Sequence, residues 1–151
     1  MKINSRQELE LKQKEYKASL NSQKKQILIC AGTGCVAGGS LEIYARMKEL
    51  IEQKGLRCAV KLEKEPHSDS IGLKKSGCHG FCEMGPLLRI EPLGWLYIKV
   101  KVEDCEEIIE KSIIGDEVVD HLVYKNNEFK SFVKQEDIPF YKKQTRIALE
   151  Y

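Results

Sequence analysis

Four of the six cysteines stand in two tight pairs, Cys30 and Cys35 in C-A-G-T-G-C and Cys78 and Cys82 in C-H-G-F-C, each set among glycines. No other feature constrains the fold as much. Thiolates that converge on a soft centre must be brought together, and two short loops carrying two sulfurs each do this without a long strained closure. Gly32, Gly34 and Gly80 suit such loops. They permit tight turns and a close backbone approach, through which amide N–H groups reach the sulfurs.

Three occupants compete for that arrangement. Structural zinc accepts four thiolates, but its knuckles usually pair cysteines about two residues apart, and the gaps here are four and three residues. A disulfide framework suits small exported chains, whereas 151 residues can bury a core without staples and no signal peptide is evident. The spacing therefore favours a [2Fe-2S] cluster over both. Cys58 alternates with Val60 and Leu62 on an expected strand, and Cys105 shares helical spacing with Ile108, Ile109 and Ser112. Both read as core residues.

A hydrophobic content of 42% with 32% charged residues is ordinary for a soluble domain. The longest apolar run, near Ile27–Ala31, falls far short of the roughly 20 residues of a membrane helix. Membrane insertion is not expected, and reduced cysteines without an export signal imply the cytoplasm. The net charge of +2 conceals a basic N-terminal stretch and an acidic one, Lys101 to Asp120, with eight acidic against two basic residues. The acidic stretch reads first as a solvated helix face, with a docking patch for a basic partner as the minority reading, and nothing calls for nucleic acid.

Ser5 and Glu8 form a capping box for a helix running to about Leu20, with Leu9, Tyr16 and Leu20 on one side. A stripe that thin must pack on the domain or on a partner. A strand at Gln26 to Cys30 leads into the first cysteine loop, and Leu41, Tyr44, Met47, Leu50 and Ile51 recur at helical spacing up to the stop at Gly55. Arg57 to Glu65 alternates as a strand, and His67 to Ser76 reads as a polar loop into the second cysteine pair. Leu87 to Glu91 and Trp95 to Val100 are strands so closely joined that they must form an antiparallel hairpin, and Glu103 to Ser112 is the last helix. This order is that of the thioredoxin fold: an α/β domain with a mixed four-stranded sheet flanked by helices. The expected division is an N-terminal helical extension at 1–24, the cysteine-bearing domain at 25–115, and a C-terminal arm at 116–151. Ile138, Pro139, Phe140 and Tyr141 in that arm are too apolar to stay fully solvated.

C-A-G-T-G-C and G-C-H-G-F-C-E-M-G-P-L-L-R-I resemble the thioredoxin-like [2Fe-2S] ferredoxins, whose pattern is C-x4-C, a long gap and C-x3-C, over about residues 26 to 114. The resemblance extends to the form fused to the flavin-bearing, NAD(P)H-binding subunit of multimeric [FeFe]-hydrogenases and related NADH-dehydrogenase-like complexes. I-P-F-Y-K-K-Q-T-R-I-A-L-E is similar to the lead-in to the flavin domain there. It implies a one-electron relay in an NAD(P)H-linked oxidoreductase or hydrogenase, with a flavin-bearing domain or subunit and other iron-sulfur subunits as partners. A homodimer is compatible with it. The chain lacks the glycine-rich dinucleotide fingerprint and the later cysteines of the flavin subunit. It is therefore expected to be an excised domain or a short ferredoxin that neither binds nor oxidises NADH by itself.

Cys30, Cys35, Cys78 and Cys82 are the expected ligands, and four thiolates favour a low potential. His79, between two of them, is expected beside the cluster or at the surface and not on iron. His67 and His121 have no motif around them. Pro86 stands where thioredoxin folds place a cis-proline beside the redox centre, so a cis Gly85–Pro86 bond is a specific expectation. A thioredoxin-like dithiol protein is the runner-up, but it needs C-x-x-C at a helix N-terminus, which is absent. A structural zinc-binding assembly module is the third reading.

Overall fold

A computed structural model describes residues 5–21, 25–56, 58–59 and 71–145, the side chains of 16–21 and 58–59 excepted. Helix α1 spans Arg6–Asn21 and begins as its capping box requires, with the Glu8 N–H donating to Ser5 Oγ at 3.2 Å. Leu9 and Leu11 are exposed on it. Strand β1, Lys25–Cys30, is followed by the short α2, Thr33–Ala37, and by α3, Ser40–Gln53. The buried stripe of α3 is Ile43, Met47, Leu50 and Ile51, while Leu41 points to solvent. Lys25 is buried at the other end of β1. Its ammonium donates to the Ser112 and Ile113 carbonyls at 2.7 and 2.8 Å and pairs with Asp116, so the end of the last long helix has a cationic cap.

The sheet has five strands in the order β2-β3-β1-β4-β5. Strands β2 (Cys58–Ala59), β3 (Ile71–Ser76), β4 (Leu88–Glu91) and β5 (Trp95–Tyr97) join β1, with β2, β3 and β1 mutually parallel and β4 and β5 antiparallel to their neighbours. Two expectations need correction. The sheet is not four-stranded, and His67 to Ser76 is not a polar loop: its second half is β3, a central strand beside β1. Ile71, Gly72 and Leu73 are buried, but Lys74, Lys75 and Ser76 climb toward the surface as the strand approaches the cysteine loop. Half an apolar strand followed by lysines shows no alternation to read. The greater part of Arg57 to Glu65, including the alternation of Cys58 with Val60 and Leu62, lies outside the described side chains, as does His67.

Helix α4, Asp104–Glu107, continues as a π-helical segment, Ile108–Ile114, and packs its isoleucines on the sheet with Cys105. Beyond it the chain turns back. Hydrogen bonds from Leu96 N–H to the Val133 carbonyl and from Ile98 N–H to the Leu122 carbonyl lay the segment 122–133 along the open edge of β5. This covers an edge that would otherwise expose unpaired amides. A small hairpin, β6 (Tyr124–Lys125) with β7 (Ser131–Phe132), and the short α5 (Pro139–Lys142) complete it, and Ile138 and Tyr141 are buried. No described helix is long and apolar enough to cross a membrane.

Candidate redox metal centre

Parallel pairing builds the site. Register places Cys30 beside Ser76, and the Ala31 N–H donates to the Ser76 carbonyl at 3.0 Å, so both cysteine loops leave the same end of adjacent strands. Cys30 ends β1, Cys35 lies within α2, and Cys78 and Cys82 flank the loop after β3, which closes in a single 3-10 turn at Cys82–Met84. The four thiols are neighbours: Cys78 Sγ lies 3.6 Å from Cys82 Sγ, and the buried Cys30 and Cys35 lie close enough to bear on the ionisation of the others. All are free, as is Cys105. Among the described residues no three metal-ligating side chains close on a single ion-sized point.

At Gly32 and Gly85 the backbone leaves no room for a side chain. A Cβ on Gly32 would stand 2.9 Å from the Cys78 Cβ, and one on Gly85 would stand 2.7 Å from Cys35 Sγ. Only glycine allows those approaches. Gly80 has φ +77°, and its N–H donates to Cys78 Sγ at 3.3 Å. Gly85 escaped the sequence reading as a contact to sulfur, although its place between the C-x3-C pair and Pro86 is a signal for a constrained turn. The expected cis bond is present at Gly85–Pro86, and Glu91–Pro92 is cis as well.

The charges differ from thiol to thiol. Burial, a hydrogen bond to Cys30 and the nearby Cys30 and Cys82 push the Cys35 thiol up to about 11. The Gly80 N–H, followed by contact with Cys82, lowers the Cys78 pKa, and its neighbour Cys82 is raised chiefly by hydrogen bonding and repulsion from Cys78. Four thiolates so close repel one another, so binding all four ionised needs a compensating cation. The donor set, the glycine contacts and the N–H bond to sulfur all suit an iron-sulfur centre.

His79 points its ring at Ser76, with Oγ and Nε2 2.8 Å apart, and its carbonyl accepts from the Tyr141 hydroxyl at 2.9 Å. Cys105 is fully buried and its thiol pushed up to about 12 by that burial, as suits a core residue. His121, in the 3-10 turn Asp120–Leu122, lies against Asp104 at the start of α4.

Fold and donor set together define a thioredoxin-like iron-sulfur protein. The family model for the thioredoxin-like [2Fe-2S] ferredoxins matches residues 16–112, and the chain belongs to that family. Its cofactor is a [2Fe-2S] cluster, and its role is that of a one-electron carrier. A [2Fe-2S] ferredoxin of Clostridium pasteurianum is 31% identical over 88 residues, which cover 58% of this chain and 76% of that protein. The crystal structure of the thioredoxin-like [2Fe-2S] ferredoxin of Aquifex aeolicus superposes with a TM-score of 0.54 at 27% identity, covering 68% of this chain and 97% of that one. An NAD+-reducing [NiFe]-hydrogenase structure shares the fold at 13% identity and a TM-score of 0.50, covering 85% of this chain and 23% of its own.

Proposed function

We propose that Cys30, Cys35, Cys78 and Cys82 are the ligands of the cluster, and that the chain relays single electrons between a flavin-bearing, NAD(P)H-binding domain or subunit and other iron-sulfur subunits of a hydrogenase or NADH-dehydrogenase type of complex. The observation that carries the ligand assignment is the meeting of four free thiols at the ends of two parallel strands, against backbone that only glycine can form. When bound, the cluster supplies a one-electron couple. The protein buries Cys30 and Cys35, leaves Cys78 and Cys82 at the surface where a partner can approach, and donates an N–H to Cys78.

The relay role is supported by the fold shared with the NAD+-reducing hydrogenase. It is supported too by the exposed Phe140, which stacks on Phe81 of the second cysteine loop. In this reading 1–24 is a helical extension, 25–115 the cluster domain, and 116–151 the arm leading to the flavin-bearing unit. Its working place is the cytoplasm.

Absorption and EPR spectra of the purified full chain test this. The expected result is a visible charge-transfer spectrum bleached by dithionite, with an EPR signal in the reduced form. NADH should bleach it only when a flavoprotein partner is added. A colourless protein holding zinc, or direct bleaching by NADH, would overturn the reading.

A further inference from the structure

The bond from the Tyr141 hydroxyl to the His79 carbonyl and the bond from the Gly80 N–H to Cys78 Sγ belong to a single peptide unit, at 2.9 and 3.3 Å. A carbonyl that accepts a hydrogen bond polarises its amide, making the N–H at the other end a better donor. We infer that Tyr141 is a positioning residue for the redox site: it holds the His79–Gly80 peptide by its carbonyl, so that the amide is aimed at the Cys78 sulfur and the reduction potential is raised.

The parts of this device are fixed on both sides. Tyr141 is buried, its ring meets Phe81 edge-on at 5.8 Å, and Phe81 stacks on Phe140 at 5.2 Å with the rings 9° from parallel. Ile138, just before it, is wholly buried in the cluster of side chains that includes Cys30 and Cys35. On the other side the His79 ring is tied to Ser76, at the end of β3. The peptide between them has little freedom to turn its N–H away from sulfur. Reduction adds one negative charge to the site without making or breaking a bond in the protein, and N–H donors to a thiolate stabilise that added charge. Tyr141 lies in α5, beyond the span 16–112 that matches the family model, so the contact that steadies the Cys78 loop comes from the part of the chain that follows the segment covering β5.

The inference rests on Cys78 being a ligand, and the experiment separates the two. Full-length chain, Tyr141→Phe and Tyr124→Phe are each loaded with cluster and titrated potentiometrically with dithionite, with exchange of the Gly80 amide followed in parallel. Tyr141→Phe keeps the ring and removes only the donor. It should hold iron as the parent does, show a more negative midpoint potential, and exchange the Gly80 amide about fivefold faster. Tyr124→Phe removes a hydroxyl from another ring packed on Phe81 and leaves the bond to the His79 carbonyl in place, so it should leave the potential where it was. An unchanged or raised potential in Tyr141→Phe, or an equal fall in both variants, would overturn the inference. Should Tyr141→Phe lose the cluster, fluorotyrosine placed at position 141 supplies a stronger donor of nearly the same shape. A higher potential then supports the inference and an unmoved one defeats it. If the parent chain itself holds no cluster, the ligand assignment fails, and Gly80 exchange in the metal-free proteins still decides whether Tyr141 holds the peptide.

Discussion

The loop after β1 buries both of its cysteines, whereas the loop after β3 leaves both of its cysteines exposed. The contrast follows from what each loop leans on. Cys30 and Cys35 back onto Leu87, Leu96 and Ile138, in an apolar wall where a thiolate is costly, and Cys35 is pushed up to about 11. Cys78 faces solvent with an amide donor, and its pKa is lowered. One half of the site therefore resists charge and water, and the other stabilises charge and meets the surface. For an electron carrier the division is useful: burial protects the metal–sulfur bonds, and the exposed pair shortens the path to a partner.

The largest effect should come from the ligands themselves. Serine at Cys30, Cys35, Cys78 or Cys82 should lower iron content about tenfold or more or alter the EPR signal, while Cys105→Ser keeps the cluster and costs stability alone. Within the four, the buried pair should also lower the thermal midpoint of the metal-free chain, and the exposed pair should not. Equal midpoints would erase the contrast between the loops.

Next come the glycines. Gly85→Ala forces a Cβ toward Cys35 Sγ, 2.7 Å away, and should cost on the order of 1–3 kcal/mol in urea unfolding together with lost iron. Gly80→Ala meets nothing within 4 Å and bears only the strain of φ +77°, about 1–2 kcal/mol. If Gly80→Ala proved the more damaging to iron loading, the exposed loop would be the tighter of the two.

Metal removal sharpens the comparison further. Hydrogen exchange of metal-free against loaded chain should show lost protection in residues 30–39 and 76–85, deeper in the second loop, because the first is backed by core side chains. Uniform loss through Ile27 and Leu96, both wholly buried, would show that the metal holds the whole sheet.

The smallest effect concerns pH. An unfolded thiol ionises near its ordinary 9.0, but in the fold Cys105 keeps its proton to about 12. Its contribution is full below pH 9 and is lost as pH rises toward 12. The urea midpoint of the metal-free chain should fall above pH 9, and Cys105→Ala should remove part of that slope. A slope unchanged by the substitution would place the titration elsewhere, with Cys35 the first group to examine.

Local patterns in the sequence determined much. Ser5 with Glu8 gives the helix start, Trp95 and the short Pro92–Gly94 connection give the hairpin, and the two glycine-flanked cysteine pairs give the class of the site, because each depends on residues close together in the chain. Tertiary structure alone decided the rest. The Lys74-Lys75-Ser76 end of β3 becomes a strand only because β1 lies beside it, and the burial of Cys35 against the exposure of Cys82 depends on what packs behind each loop. Tyr141 reaches His79 across a gap of 62 residues. No spacing rule encodes such a contact, since its partner is chosen by the path of the folded chain over the sheet edge.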